Sequence, residues 1–477
     1  YNDLDEAERS YLHEEVGCIL EEIYGDKAED ISVHLARHFQ EAGIAEKAVH
    51  YLYKAGKKAV HLSANNEAIA HYKKALSLLQ ELPETPERNK LELTLQLALT
   101  VPIQASKGFA SPELERAVTR SRELCRKIDD PNLIFTALVQ LQLFYSTRPE
   151  YRTALKLQEE IEAIADKSGD SMQKTISRYQ AVWCLLNVGE MNKTLEYAKR
   201  MKEMYDPKKH SYLAYVFGYD MGVLNRAFWS WALWFLGYPD QAEEELKIAI
   251  QHARELGHPY TLAFALVGGC ALQWYLRNRT KIEEYTEELD RLSNEKGFIY
   301  WQGHSIFYRG ERKVLEGEVK EGTDQMKLGL QTMRLTGTET CLTRLLARMT
   351  EALRQAREVK EGLLAVNEAL ELMEKFEERY MEAELFRLKG ELLRMQGAPD
   401  KEVESFFHKA LEVSRNQKAK SLELRAAMSL SRLLQKQGKK PDAEKILKKI
   451  YNWFQEGFDR PDLKDARALL NELEKEK

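Results

Sequence analysis

The chain has 477 residues, of which 71 are basic and 76 acidic, so its net charge is −5. No long run of one charge occurs, which argues against a nucleic-acid-binding protein and against a membrane-surface protein. The longest apolar stretch, near 227–237, is too short to span a bilayer. We therefore expect no nucleic-acid or membrane partner and, since no signal peptide is visible, a cytoplasmic protein.

The five cysteines are spaced far apart and form no C-x-x-C motif. They are Cys18, Cys125, Cys184, Cys270 and Cys341. This usage indicates reduced cysteines that pack as small apolar side chains inside an intracellular protein. The sequence begins with Tyr1 and not with Met, from which we expect a piece of a longer protein.

Apolar residues at helical spacing predict helices from the start of the chain. The first is predicted at Glu6–Tyr24, and helices at 31–42, 45–61 and 65–79 follow. After a break at 82–86 the next helix is expected over 87–105, with a kink or an early stop at Pro102. Ser111 and Pro112 then form a helix start, as N-cap and first helical residue. The repeat register between 82 and 131 is left open by this pattern.

From residue 132 onward the pattern predicts helices in pairs. The pairs are 132–147 with 150–167, 171–187 with 191–205, 211–236 with 239–256, 260–277 with 279–295, 299–316 with 319–336, 339–356 with 358–376, 380–396 with 399–417, and 421–437 with 440–455. A closing helix is predicted at 462–475. The equivalent small or apolar position of the second helix recurs every 40 or 41 residues from Ala249 to Ile450. Such a period is typical of an α-solenoid.

The stretch Ser211–Pro259 shows the repeating unit most clearly. Two amphipathic helices are separated by Gly237, which suits a helix C-terminus, and Pro239 suits the first turn of the second helix. The step into this unit from the preceding repeat is 48 residues instead of 40. We expect the eight extra residues at 206–211 and in a longer first helix.

Several segments resemble a known family. They include LARHFQEAG at 35–43, ARELGHP at 253–259, EAELFRLKGELL at 382–393 and WFQEGFDRPDL at 453–463. The repeats resemble tetratricopeptide repeats (TPRs) that are longer than the usual length of about 34 residues. The whole chain resembles the C-terminal repeat region of bacterial STAND-type signalling ATPases, a group that includes cyclase-associated and transcriptional-activator-like multidomain proteins.

The resemblance implies an all-α, right-handed superhelical solenoid of TPR-like helix pairs. It also implies three parts: N-terminal helices and first repeats at 1–82 as the coupling end, the main solenoid at 83–461, and a capping helix at 462–477. In the family an NTPase module, and often a cyclase or DNA-binding module, precedes this region. The phosphate-binding motif G-x-x-x-x-G-K-[ST] does not occur in the sequence, so a regulatory arm is implied and not the catalytic part.

Catalytic and metal-binding patterns are weak. His34 and His38 have the i, i+4 spacing of metal ligands, but no nearby cysteine completes a site and no H-E-x-x-H motif occurs. We therefore expect no enzyme activity, no metal and no cofactor.

Aromatic residues recur on the first helices of four consecutive repeats. They are Tyr179, Trp183, Trp231, Trp234, Trp274, Tyr275, His304 and Phe307. In TPR solenoids the first helix of each pair lines the concave groove, so this aromatic band is a candidate binding groove for a protein or peptide partner. The alternative is that the rings fill a tight superhelix and pack between helices.

Charged residues follow on the later first helices. Arg344, Arg387, Arg425 and Arg432 lie on inner stripes together with glutamates. One interpretation is a set of salt bridges between repeats, and the other is a binding site for an anionic partner.

The function that these patterns favour is a sensor and protein-interaction arm of a signal-transduction ATPase or cyclase, which binds its partner in the concave groove. One alternative is a free-standing scaffold that assembles partners or self-associates through its edge repeats. Another is a small-molecule receptor that uses the aromatic band, for which a closed pocket around Trp231, Trp234 and Trp274 is expected.

Overall fold

The computed structural model describes residues 5–475, and every regular element within that range is helical. The predicted all-α class and the arrangement in consecutive helix pairs are thereby confirmed. The chain forms two compact units: residues up to Phe144 together with Tyr215–Gly218, and Tyr145–Ala214 together with the residues from Tyr219 onward.

The first unit is built from consecutive antiparallel helices. They are α1 (Glu6–Tyr24), α2 (Ser32–Glu41), α3 (Ala45–His61), α4 (Asn65–Gln80), α5 (Pro86–Lys107), α6 (Pro112–Cys125) and most of α7 (Pro131–Thr147). The start of α1 is fixed by a capping box, in which the backbone N–H of Glu8 donates to Asp5 Oδ1 at 2.8 Å and that of Asp5 donates to Glu8 Oε2 at 3.0 Å. Ser111 caps α6 as the sequence predicts, through a bond from the N–H of Leu114.

Pro102 does not end α5, so the early stop expected there is wrong. The helix continues for five residues, to Lys107. Val101, Pro102 and Ile103 are all buried, and this packing holds the last turn in helical form although proline supplies no N–H.

The second unit contains the regular pairs. Its helices are α8 (Tyr151–Ser168), α9 (Ser171–Asn187), α10 (Met191–Met204), α11 (Pro207–His210), α13 (Met221–Leu236), α14 (Pro239–Leu256), α15 (Pro259–Tyr275), α16 (Arg279–Lys296), α17 (Ile299–Glu316), α18 (Val319–Arg334), α19 (Leu342–Gln355), α20 (Val359–Phe376), α21 (Glu382–Gln396), α22 (Asp400–Asn416), α23 (Lys420–Lys436), α24 (Lys440–Tyr451) and α25 (Pro461–Lys475). A four-residue helix, α12 (Ala214–Phe217), lies in the chain between α11 and α13. None of the helices in the described range is long and apolar enough to cross a membrane.

The predicted helix over 211–236 is interrupted, which corrects the sequence-based boundary. Its first part consists of a short 3₁₀ turn and α12, and the long helix starts only at Met221. Gly218 takes a left-handed backbone conformation, with φ at +85°. Asp220 then caps α13 by accepting from the N–H of Val223 at 2.9 Å and from the Tyr205 hydroxyl at 2.6 Å. The insertion expected near 206–211 therefore forms short helices and a turn.

Glycine allows the closest helix contact in the second unit. A Cβ atom added at Gly310 of α17 would lie 2.5 Å from the carbonyl oxygen of Gly322 on α18. Two helix turns away on each helix, Gly303 and Gly329 meet in the same way, with 3.0 Å between the added Cβ and the facing carbonyl. Larger residues at these positions would separate the two helices.

Helix pairs far apart in sequence contact each other within the second unit. Arg460 donates to Glu243 Oε2 at 2.7 Å over a separation of 217 residues, and the Tyr151 hydroxyl lies 3.3 Å from Thr340 Oγ1 over 189 residues. Arg152 also binds Glu377. Separations of this size correspond to about five repeats, so repeats that are five steps apart pack against each other.

Candidate functional site

The inner helices of the second unit surround a cavity of about 420 Å³. Its charged lining residues are six arginines and three carboxylates: Arg277, Arg279, Arg354, Arg387, Arg425, Arg432, Glu351, Asp462 and Asp465. The remaining lining residues are Trp274, Val314, Leu315, Gln355, Met428 and Ser429. We call this the arginine cavity.

Helical spacing brings these side chains together. Arg425 and Arg432 are seven residues apart on α23 and therefore lie on one face, two turns from each other. Arg387 comes from α21 and Arg354 from α19, which are the first helices of the two preceding pairs. Arg277 lies in the turn after α15, where its φ of +50° is left-handed.

Two glutamates hold the arginines of the middle helices. Arg354 donates from Nε and Nη2 to Glu351 at 2.9 and 2.7 Å, and Arg387 donates from both of these nitrogens to Glu384 at 2.8 Å. Burial acts to raise the pKa of Glu351. The bond from Arg354 and the charges of Arg387 and Arg425 outweigh it and hold this pKa well below its usual range. Glu351 is therefore ionised, and its charge is already compensated.

The C-terminal helix α25 supplies the opposite wall. Arg425 donates from Nε to Asp462 at 3.0 Å and from Nη1 to Glu384 at 2.7 Å. Arg277 donates from Nη2 to Asp462 at 3.1 Å and to Asp465 at 2.8 Å. The helix predicted as a cap for the solenoid thus also shapes the cavity.

Two of the cavity arginines form no ion pair with a carboxylate among the described residues, 5–475. Arg279 begins α16 and Arg432 lies on α23, and both side chains are exposed. The lining as a whole has six positive and three negative groups, a formal excess of three positive charges. The cavity is therefore suited to negatively charged groups.

Most of the predicted aromatic band is buried. Trp231, Trp234, Trp274, Tyr179, Tyr275, His304 and Phe307 are all nearly inaccessible to solvent, whereas Trp183 is half-buried. Trp234 stacks on Tyr275 with 4.0 Å between the ring centroids. A second cavity beside Trp234 and Tyr275 has a volume of about 20 Å³, which is room for a single water molecule.

Arginines from later repeats cover these rings. The guanidinium of Arg344 lies 5.1 Å from the ring centroid of Trp231, and that of Arg348 lies 5.2 Å from that of Trp274. Both arginines are buried. Of the twelve residues predicted for the groove, only four therefore line the cavity: Trp274, Arg387, Arg425 and Arg432. Arg344 lies among the rings instead.

A buried charge cluster lies behind the cavity. Arg348 donates to Glu311 and, at 3.3 Å, to the carbonyl oxygen of Cys270. Burial raises the pKa of Glu311 to about 8 against the opposing charge of Arg348. Burial and the nearby Arg344 lower the pKa of His304 to about 3, so this ring is neutral at ordinary pH.

Several residues of the cavity were not predicted from the sequence. Arg277, Arg279, Asp462 and Asp465 come from turns and helix starts that meet only through contacts about 185 residues apart. No periodic pattern within one repeat carries that information. The one usable signal was the excess of arginine on successive first helices.

The histidine and cysteine patterns give no metal site in the part of the chain that the structure describes. His13 and His38 lie side by side, with 2.9 Å between their Nδ1 atoms. All five cysteines are free, and Cys184, Cys270 and Cys341 are buried as small apolar residues.

No model of a protein family matches the sequence. One curated relative, the uncharacterized protein R02095 of Rhizobium meliloti (strain 1021), is 22% identical over 315 residues. The match covers 65% of this chain and 30% of that protein, so the chain spans less than a third of the relative.

The solved structures that are similar in fold include a Rap protein and the Cut9–Hcn1 assembly. A Rap protein complexed with competence and sporulation factor has a TM-score of 0.57 at 12% identity, covering 78% of this chain and 99% of that one. The APC/C hetero-tetramer Cut9–Hcn1 has a TM-score of 0.51 at 12% identity, covering 97% of this chain and 86% of that one. These likenesses support the TPR-like solenoid fold.

Proposed function

We propose that the chain is a non-catalytic sensor and protein-interaction solenoid, the regulatory arm of a multidomain signal-transduction ATPase or nucleotidyl cyclase. The observation that carries this proposal is the TPR-like solenoid whose first helices converge on one charged inner surface. The resemblance of several segments to STAND-type proteins supports the narrower assignment. The relative from Rhizobium meliloti is about three times as long as its matched segment, so that protein has room for further modules.

The partner in this proposal is a protein or peptide. Two proteins of similar fold bind or assemble with other molecules: the Rap protein is complexed with competence and sporulation factor, and Cut9 forms a hetero-tetramer with Hcn1. Of the residues predicted for the groove, Arg432 is exposed, whereas Arg425 and Trp183 are half-buried. We therefore propose the mouth of the arginine cavity as the partner surface.

Signal transfer would use the stiffness of the second unit. Contacts over five repeats, such as those of Arg460 with Glu243, join separate helix pairs into one body. A partner bound at the inner surface would act on several of these pairs at once. In the proposed arm this rigid-body response reaches a module placed before α1.

Co-precipitation with two matched charge-reversal variants tests the proposal. Arg279→Glu combined with Arg432→Glu reverses the two unpaired arginines of the cavity. The control variant, Arg291→Glu combined with Arg467→Glu, reverses two arginines on α16 and α25. These are also exposed but do not line the cavity. A protein partner that is lost only with the first variant supports the proposal. Equal capture by both variants contradicts the inner-face site.

A further inference from the structure

We propose that the arginine cavity is a receptor site for a small polyanion, a molecule that carries two or more phosphate or carboxylate groups. This inference goes beyond the proposed protein partner and stands on the cavity alone. The volume of about 420 Å³ lies within the range of roughly 300–1,000 Å³ that is usual for small-molecule sites.

The charge of the lining selects the ligand class. All three lining carboxylates already accept bonds from arginine, so they do not call for a bound cation. Arg279 and Arg432 have no such partner in the described residues. A ligand with two separated anionic groups would supply the missing charge, and the fork of donors on each guanidinium matches phosphate and carboxylate oxygens.

The other arginines are held in place before any ligand arrives. Arg354 is fixed by two bonds to Glu351, Arg387 by two bonds to Glu384, and Arg425 by bonds to two different helices. Because their side chains are already ordered, binding would cost little additional conformational entropy. Once Glu384, which binds Arg387 and Arg425, is counted with the three lining carboxylates, two positive charges remain unpaired, those of Arg279 and Arg432. A cluster that served only as salt bridges between repeats would not leave them around an open volume.

The buried rings favour a small ligand over a long peptide in this cavity. A peptide in an extended groove would use Trp231, Trp234 and Tyr275 as anchors, but these rings are covered. Arg348 lies over Trp274, the one tryptophan that borders the cavity. The available space is therefore bounded at its aromatic end.

Phosphate and carboxylate groups can both accept bonds from guanidinium groups. Two probes, one of each kind, therefore show which group the site binds. Pyrophosphate and citrate are titrated into the purified chain by calorimetry at constant ionic strength, with sodium chloride and spermidine as control solutes. We expect saturable binding of at least one probe at one site, together with a higher thermal unfolding midpoint. Pyrophosphate alone would indicate a phosphorylated ligand, and citrate alone a polycarboxylate.

Variants connect the binding to the cavity. Arg279→Gln with Arg432→Gln is expected to weaken the binding about tenfold or more. Arg291→Gln with Arg467→Gln, the matched control, is expected to leave it unchanged. All four positions are exposed, so both variants should keep the far-ultraviolet circular dichroism of the unaltered chain.

Three outcomes would overturn the proposal. One is that neither probe binds more tightly than chloride at equal ionic strength. Another is that both variants lose binding equally. The third is that a short oligo-aspartate peptide binds at the cavity while pyrophosphate and citrate do not, which would assign the site to the protein partner. Failure of the co-precipitation experiment would leave this calorimetric result standing, so the two proposals fail separately.

Discussion

Ser421 donates a hydrogen bond from its hydroxyl to the carbonyl oxygen of Trp234 at 2.5 Å, across 187 residues of sequence. The two residues belong to first helices five repeats apart, α23 and α13. Because such contacts join one part of the second unit to another, the inner rings are shielded from solvent. The arginine cavity remains open beside these buried rings, since Trp274 borders it.

Arg460 is the first test of this long-range packing. It binds Asp240 at 2.7 Å and Glu243 at 2.7 Å, and the pair with Glu243 is largely buried. Arg460→Ala is expected to lower the free energy of unfolding by about 1 kcal/mol, since one guanidinium bonds two carboxylates at a partly buried place and such a network exceeds an isolated surface pair. Urea unfolding measures the change. Arg200→Ala, which removes only a local pair with Glu196, is the control, and an equal loss in both variants would contradict the argument.

Gly310 tests the closest helix contact. Gly310→Ala places a Cβ atom against backbone, 2.5 Å from the Gly322 oxygen, and is expected to cost about 1–3 kcal/mol through overpacking. Gly268→Ala is the control, because its nearest contact is an ordinary 3.5 Å to Ala227 Cβ. The control should be neutral or stabilising, since alanine favours a helix by about 1 kcal/mol over glycine. Thermal unfolding midpoints that fall equally would show that the helices can separate freely.

The buried pair of Arg348 and Glu311 predicts non-additive effects. At pH 9, where Glu311 is ionised, Glu311→Leu leaves a guanidinium without its carboxylate in the interior and is expected to cost about 3–5 kcal/mol. Adding Arg348→Met removes the stranded charge, so the double variant should recover most of that loss. Chemical unfolding of the two single variants and the double variant forms a double-mutant cycle. Losses that simply add would mean that the two residues do not depend on each other.

His304 predicts a pH dependence. Its pKa is about 3 in the folded chain and about 6.5 when unfolded, so below pH 6.5 the unfolded chain binds a proton that the folded chain does not. Stability therefore falls as the pH drops from 6.5 towards 3, by about 2 kcal/mol at pH 5. His304→Gln should lose this share of the acid sensitivity.

Other charged and titratable groups lie around His304 and affect how stability depends on pH. His304 faces Arg344, Arg348, Tyr300 and Tyr308, of which the arginines keep their charge throughout the range. Glu311, with a pKa of about 8, acts in the opposite direction, because its contribution to stability is lost as the pH rises above 4.5. The difference between the unaltered chain and His304→Gln isolates the histidine. A difference that does not change between pH 7 and pH 5 would mean that His304 titrates normally.

The helix boundaries were predictable because local chemistry sets them. Gly237 ends α13, and Pro239 and Gly257 mark the ends of α14, which the structure places at Pro239–Leu256. The interruption at Gly218 was missed because the apolar spacing on both sides of it continues without a change. At Pro102, tertiary burial prevailed over the local preference to end the helix.

The inner surface was only partly predictable. Helical spacing identified the positions that face inward, including Trp274, Arg387 and Arg425. It could not decide between a groove and a filled interior, because that depends on the small rotation between successive repeats. Contacts such as Arg277 with Asp462 arise only after this rotation has accumulated over about five repeats.

Trp231 gives the last prediction, which separates packing from recognition. Its indole N–H donates to the Gly268 oxygen at 3.1 Å, and the Arg344 guanidinium lies over its ring. Trp231→Ala is expected to cost about 3–5 kcal/mol, as for other buried aromatic residues. Arg432→Ala, on the exposed rim, should change stability by less than about 0.5 kcal/mol and yet weaken ligand or partner binding. Calorimetric unfolding combined with a binding assay distinguishes the two. A Trp231→Ala chain of unchanged stability that had lost its partner would instead place this ring in the binding groove.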